Sequence, residues 1–388
     1  MKTQPNVLML DAGFASFPLL RATQQQGYCV SICSGKAEDP GMFFADEAIL
    51  QDYRQYDDVL HIARERNICA LLPGVTDVSY LTGAQVACEL GLPGYDHPDV
   101  CTTIFIKDAF RQWAIQHGYP VPMAAKSETE AAEFSFPLIV KPVDAYSGLG
   151  ITRVQAAGEV ADAIATARSA SSSREIVIET FCEGGLHSHS AFIRDGKIVC
   201  EFFVDEYCTV YPWQVNSSSL SLRLSESLRQ RVSECLQTLV SELGLVDGLL
   251  HTQFIANDDT FWLIELTRRC PGDLYSRLIE LSTGQPYSAW FTHPFLSESS
   301  QFPFIRPQHW RAVARHTISV QEKQRFSALS LGALDAKLIE VVPLKRPGEW
   351  VNPAPGDRAG IIFAEFPEFT DLEKMAPQLY KFWSLRNS

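Results

Sequence analysis

Apolar residues recur along this chain at two spacings, and the way those spacings alternate divides it into parts. Near the N-terminus, Asn6–Leu10 is a short apolar run and Phe17–Gly27 has helical spacing that stops at a glycine. Tyr28–Cys33 is rich in β-branched and aromatic types and predicts a second strand. A helix over Tyr56–Arg66, a strand over Ile68–Leu72 and a helix over Val78–Gly91 follow. Strand and helix alternating at this interval predict parallel βαβ units, a Rossmann-like layout. The first turn, Asp11-Ala12-Gly13-Phe14-Ala15-Ser16, has one glycine where a dinucleotide fingerprint needs three, which argues against an NAD site there.

The pattern changes after residue 100. Ile106, Phe110, Trp113, Ala114 and His117 fall on one helical face. The apolar run Phe136–Lys141 reads as a buried strand ending in a lysine. It is followed by the loop Asp144–Gly150 and the strand Ile151–Val154. A helix over about 158–170 and a strand over Glu175–Phe181 come next. Then His187–Arg194 and Lys197–Asp205 form a hairpin turning on Asp195-Gly196. Residues 225–243 carry a helical stripe of Leu228, Val232, Leu236, Leu239, Val240 and Leu243. A second hairpin, Gly248–Ala256 and Thr260–Thr267, is joined at Asn257-Asp258-Asp259, and the tail from about 296 is rich in strands and turns.

Composition narrows the function classes. At 388 residues the chain exceeds one hydrophobic core, so two or three domains are expected. A net charge of −13 argues against nucleic acid as a partner and against a polybasic hold on a membrane. Most of the excess acid is local, since residues 1–100 carry six Lys/Arg against thirteen Asp/Glu. No run reaches the roughly 18 apolar residues of a membrane span, and Val7–Leu10, cut by Asp11, is too short for a signal peptide. Ten cysteines without a CxxC pair predict reduced thiols and a cytoplasmic location.

Two stretches carry candidate chemistry. Lys141 closes an apolar strand, a costly position unless an anion meets it, and the next loop offers Ser147, Gly148 and Gly150 for close approach to phosphate oxygens. A plain hairpin turn with a strand-end lysine fits the same residues. In the second stretch, Gln253 and Glu265 fall on adjacent antiparallel strands with their side chains on one face, and Thr267 projects to that face too. Oxygen donors from paired strands suit Mg²⁺, whose shell phosphates and water complete. Arg269, two residues further along, supplies a fixed cation. His187 and His189 lack a third metal ligand in the sequence.

The order of these elements resembles the ATP-grasp superfamily, in its biotin-carboxylase-like and carbamoyl-phosphate-synthase-like branch, and comes closest in motif to the L-amino-acid (dipeptide) ligases. The resemblance implies an α/β (α+β) fold in three parts. These are an N-terminal α/β domain over 1–100, an ATP-grasp domain over 101–295 with a lid at about 120–205, and a strand-rich C-terminal domain over 296–388. It implies that Lys107 and Lys141 meet ATP phosphates, that Ser147, Gly148 and Gly150 cover them, and that the Glu179-Thr180-Phe181-Cys182 hinge receives adenine. Gln253 and Glu265 match the Mg²⁺ ligands, with Mn²⁺ as an alternative ion, and Arg269 matches the arginine that steadies the transferring phosphoryl group. Glutamine replaces a commoner glutamate at 253, threonine replaces asparagine at 267, and the usual ribose-binding acid falls on Leu186 or His187.

The stretch from Arg268 to Gly272 and Asp273 resembles the substrate arginine and pocket of the amino-acid ligases. Asp273 is open to two readings, a holder of a substrate ammonium or the N-cap of a helix running to about Gly284. The expected function is an ATP-dependent ligase joining a small-molecule carboxylate, an amino acid, to an amine through an acyl phosphate, releasing ADP and phosphate. A bicarbonate- or formate-activating enzyme acting on a nucleotide precursor or sugar, and a non-catalytic nucleotide-binding protein, are the alternatives. The resemblance is also compatible with a homodimer.

Overall fold

The N-terminal alternation folds into a four-stranded parallel sheet. In a computed structural model, which describes residues 5–145, 148–296 and 310–386, the chain begins with β1 (Asn6–Leu10), α1 (Phe17–Gln25), β2 (Cys29–Ser34) and β3 (Glu47–Leu50). Then come α2 (Tyr56–Glu65), β4 (Ala70–Pro73) and α3 (Asp77–Leu90). The strand order is β3-β2-β1-β4, with every pairing parallel. β3 is the element that the spacing does not predict, because four half-exposed residues are too few to display a period.

Two helices, α4 (Pro98–Phe105) and α5 (Lys107–Gln116), bring the chain to a small antiparallel sheet. Ile106, expected on a helical face, is instead the extended N-cap of α5, with φ −91° and ψ 112°. Lys107 therefore opens this helix. The small sheet holds β5 (Ala124–Ala125), β6 (Leu138–Pro142), β7 (Thr152–Val154) and β8 (Ile176–Thr180), in the order β5-β8-β6-β7. Before β8, α6 (Val160–Ala170) covers one side of it, packing Val160, Ala163 and Ala167 against Leu138, Val140 and Ile178.

The rest of the chain builds an eight-stranded antiparallel sheet. Its first part comprises β9 (Gly185–Arg194), β10 (Lys197–Tyr207), β11 (Ser217–Leu220), α7 (Glu226–Leu243), β12 (Gly248–Ala256), β13 (Phe261–Thr267), α8 (Tyr275–Thr283) and α9 (Tyr287–Leu296). After it come β14 (Val313–Ile318), β15 (Gln324–Arg325), β16 (Leu329–Leu331), β17 (Lys337–Pro343), β18 (Trp350–Val351), β19 (Gly360–Glu365), α10 (Phe369–Met375) and β20 (Trp383–Leu385). The large sheet runs β13-β12-β9-β10-β11-β14-β19-β17. The β9–β10 turn uses positive φ at both Asp195 (51°) and Gly196 (70°), as a two-residue hairpin turn requires.

Two features bear on how the parts join. β9 and β10, which the family resemblance puts in the lid region, hydrogen-bond into the large sheet, and the small sheet ends at Thr180. β14, β17 and β19, from the tail, extend the same large sheet, so main-chain hydrogen bonds tie the tail to the centre. One face of this sheet packs on α7 through Leu228, Val232, Leu236 and Leu239. The other packs on α8 and α9 and reaches the N-terminal sheet.

Candidate functional site

Strand parity decides which polar side chains meet. Gln253 pairs with Glu265 directly across the β12–β13 ladder, so both side chains leave one face. Ser188 of β9 is in register with Gln253, and Glu206 of β10 lies two residues beyond the partner of Ser188. Ser218 of β11 faces Glu206, and Arg315 of β14 faces Ser218. Glu265, Gln253, Ser188, Glu206, Ser218 and Arg315 thus form a polar band across six strands of the face that carries α8 and α9. Within it, Gln253 Nε2 donates to Glu206 Oε2 (2.8 Å) and Arg315 Nη2 donates to Ser218 Oγ (2.7 Å).

Cations converge on the Glu265 end. Lys107 Nζ stands 3.8 Å from Glu265 Oε1 and donates to the carbonyl of Ala145 in the β6–β7 loop (3.3 Å). Arg269 Nε donates to Asp77 Oδ1 at the start of α3 (2.7 Å), which ties the parallel sheet to the end of β13. Burial opposes the Arg269 charge, but Asp77 and Glu265 outweigh it and hold its pKa above the ordinary value. His251, paired with Thr267, is buried, and burial together with Arg269 keeps its pKa well below the imidazole range, so the ring is neutral at physiological pH.

The β6–β7 loop closes onto the segment between β10 and β11. Tyr211 Oη donates to the carbonyl of Gly148 (3.2 Å). Gly148 has φ +76°, and a Cβ there would stand 2.4 Å from Cβ of Trp213, so glycine is required on two counts. Gly150 has φ +74°. Ser147 lies outside the described residues.

Lys141 and Glu179, expected to act separately on phosphate and adenine, are partners. Lys141 Nζ donates to Glu179 Oε2 (2.6 Å), while Arg111 Nε donates to Oε1 (2.8 Å) and Arg111 also caps the carbonyls of Leu263 and Ile264. Burial pushes the Glu179 carboxyl up, but Lys141 and Arg111 together outweigh it and bring it from 4.5 down to about 2. A carboxyl depressed in the folded state stabilises the fold above its unfolded pKa, and that contribution is lost as pH falls through 4.5 toward 2. Replacing Glu179 with Gln is therefore expected to flatten the acid limb of a stability-against-pH curve by about one proton over that window. Tryptophan fluorescence of urea unfolding at several pH values would measure it, and an unchanged slope would contradict the triad.

The other expected site residues have these surroundings. The Arg268 side chain is 1% exposed, with Nε donating to Asp96 Oδ2 (2.6 Å), so it braces the fold. Asp273 is not the N-cap of α8, since Leu274 holds that position without a side-chain cap bond. Its carboxylate stands 2.8 Å from Arg358 Nε and 3.9 Å from Arg315 Nη1, which sets guanidinium groups where an ammonium was expected. Thr267 Oγ1 accepts the Arg269 backbone N–H (3.2 Å). In the hinge, the Phe181 N–H donates to the carbonyl of Pro137 and its ring lies under Arg153 at 4.0 Å. Cys182 is buried, which pushes its thiol up to about 11. The backbone of Gly272 accepts from Tyr275 N–H (3.1 Å), and a Cβ at Gly272 would meet nothing within 4 Å.

Asp77, Arg111, Glu206, Arg315 and Arg358 belong to the site or its supports and escaped the sequence reading. Arg315 carries the signal that singled out Lys141, a cation inside an apolar strand. The donor chemistry fits Mg²⁺, because one carboxylate and one amide oxygen leave the remaining positions for phosphates and water. Among the described residues no group of three or more His, Cys, Asp or Glu forms an ion site on its own. No described helix is long and apolar enough to cross a membrane.

The family model for the D-ala D-ala ligase C-terminus matches residues 112–272, from α5 to the turn before α8. Pyruvate carboxylase of Staphylococcus aureus is 27% identical over 255 residues, covering 60% of this chain and 22% of that protein. The L-amino acid ligase from Bacillus licheniformis has a TM-score of 0.81 at 21% identity over 100% of both chains. The biotin carboxylase domain of the Hydrogenobacter thermophilus 2-oxoglutarate carboxylase, solved with MgADP and bicarbonate, has a TM-score of 0.77 at 16% identity, over 100% of this chain and 91% of that one. The chain spans between 22% and 35% of the length of the curated relatives it matches. The likeness to the solved structures runs its whole length and shows the fold.

Proposed function

We propose that the chain is a member of the ATP-grasp superfamily and an ATP-dependent, ADP-forming carboxylate–amine ligase that activates the carboxylate of an amino acid. The observation that carries this reading is the pairing of Glu265 and Gln253 on one sheet face, with Lys107 3.8 Å from Glu265 and Arg269 in electrostatic reach of it.

A carboxylate attacking the γ-phosphate of ATP brings an anion to an anion, so the chemistry is chiefly one of positioning and charge. Mg²⁺ held by Glu265 and Gln253 would supply neutralising charge to the phosphate oxygens. Lys107 adds an ammonium at the positive end of α5. Gly148 and Gly150 let the loop backbone come close to phosphate, and Asp77 fixes the direction in which Arg269 presents its guanidinium. Glu179 holds the Lys141 ammonium near the end of β6, where the β6–β7 loop begins. At the other end of the band, Arg315 and Arg358 flank Asp273 and bias that end toward an acidic group on the substrate. Transfer of the phosphoryl group gives an acyl phosphate and ADP. Attack of an amine on the acyl carbon then breaks the C–O bond, releases phosphate and, with loss of a proton from nitrogen, leaves an amide.

The test is ADP release by the full chain in Mg·ATP across a panel of single and paired amino acids, with products weighed by mass spectrometry. Parallel arms contain bicarbonate or formate with amine acceptors. ADP release that rises only with amino acids is expected. A rise with bicarbonate alone would replace the substrate assignment, and tight ATP binding without ADP in every arm would replace the enzyme by a nucleotide-binding scaffold.

A further inference from the structure

Glutamine at position 253 poses a problem that a carboxylate would not. A carboxylate offers oxygen whichever way it turns, whereas an amide has an acceptor end and a donor end. A hard cation takes only the oxygen, and an amide presented nitrogen-first would turn N–H groups toward the charge. The site therefore needs something that settles the direction of the Gln253 amide.

Glu206 meets that need. It sits on β10, is 5% exposed, and shares the face of Gln253 and Glu265 by strand parity. Its Oε2 accepts from Gln253 Nε2 at 2.8 Å. With that oxygen accepting, the NH₂ end faces Glu206 and Oε1 turns away from it. We propose that Glu206 is a positioning residue that orients the Gln253 amide, so that Oε1 rather than Nε2 is presented beside Glu265 to a divalent cation. Glu206 itself is braced, because its strand lies between β9 and β11.

The inference rests on reading Gln253 and Glu265 as the cation-facing pair, and the experiment separates the two. Mn²⁺ is titrated into the full chain saturated with ADP, and free Mn²⁺ is followed by electron paramagnetic resonance. ADP affinity in EDTA is measured alongside. Glu206→Met, which keeps bulk but removes the acceptor, is expected to weaken Mn²⁺ binding by about 10–100-fold, the usual effect of losing an outer-shell partner, with ADP affinity in EDTA unchanged. The exchange variant Glu206→Gln/Gln253→Glu puts a carboxylate at 253 and an NH₂ donor behind it. It is expected to bind Mn²⁺ at least as tightly as the wild type, a rescue that a merely structural role for Glu206 would not produce. Wild-type Mn²⁺ affinity in Glu206→Met, or markedly weakened affinity in the folded exchange variant, would overturn the proposal. If Glu206→Met does not fold, the exchange variant decides. A wild type that takes up no Mn²⁺ with ADP would instead sink the reading of the Gln253–Glu265 pair.

Discussion

Glu265→Gln is expected to lower kcat for ADP formation by about 10²–10³-fold, the scale of losing one preorganised electrostatic partner of a transition state. The size follows from the asymmetry of the pair. Gln253 is neutral, so Glu265 brings the formal charge of the two facing donors, and its loss leaves a cation between two amides. Lys107, 3.8 Å away, would also lose its counter-charge and be free to shift toward the solvent. The fold should be indifferent, since the Glu265 side chain is 35% exposed and glutamine has nearly its shape. The measurement is steady-state ADP release over a range of Mg²⁺, with melting temperature as the control. Activity within a few-fold of wild type, in a variant that melts normally, would remove the β12–β13 hairpin from the reaction.

How much of this was legible in the sequence depended on how far apart the partners lie along the chain. The turn at Asn257-Asp258-Asp259 fixes the register of its hairpin, and register fixes which side chains share a face, so the Gln253–Glu265 pair was readable. Lys141 was readable as a cation closing an apolar strand, and Glu179 through the family resemblance. Their contact was not, because it depends on β6 and β8 being neighbours although the partners lie 38 positions apart. Glu206 meets Gln253 across β9, 47 positions away, and Arg315 joins through the β11–β14 pairing, which crosses nearly one hundred residues and leaves no local trace. The N-cap reading of Asp273 fails for a different reason. A favoured N-cap type precedes a helix there, but the chain takes positive φ at both Asp273 and Leu274 and starts the helix later, turning the carboxylate toward Arg358.

Arg268 and Arg269 are adjacent, and the family resemblance implied a substrate contact for the first and a phosphoryl-steadying role for the second; Arg268 should respond to substitution through the fold. Arg268→Met is expected to cost the fold about 3–5 kcal/mol, the range for removing one partner of a buried ion pair. Its guanidinium donates to Asp96 Oδ2 and to the carbonyls of Leu249 (2.7 Å) and Val246 (2.6 Å). Asp96 in turn accepts from Tyr80 Oη (3.1 Å) and Val246 N–H (3.0 Å). The variant would strand a carboxylate that is 3% exposed, and would orphan two carbonyls that close the turn before β12. Asp96→Leu should cost a similar amount by stranding the guanidinium. The double variant should cost clearly less than the two single losses together, because neither charge is then left alone in the interior. Urea unfolding of the four proteins measures this coupling, and additive losses would mean that Arg268 and Asp96 stabilise the fold independently. Assayed at a temperature where it remains folded, Arg268→Met should still release ADP at close to the wild-type rate, whereas a large fall in kcat from a fully folded variant would return Arg268 to the substrate site.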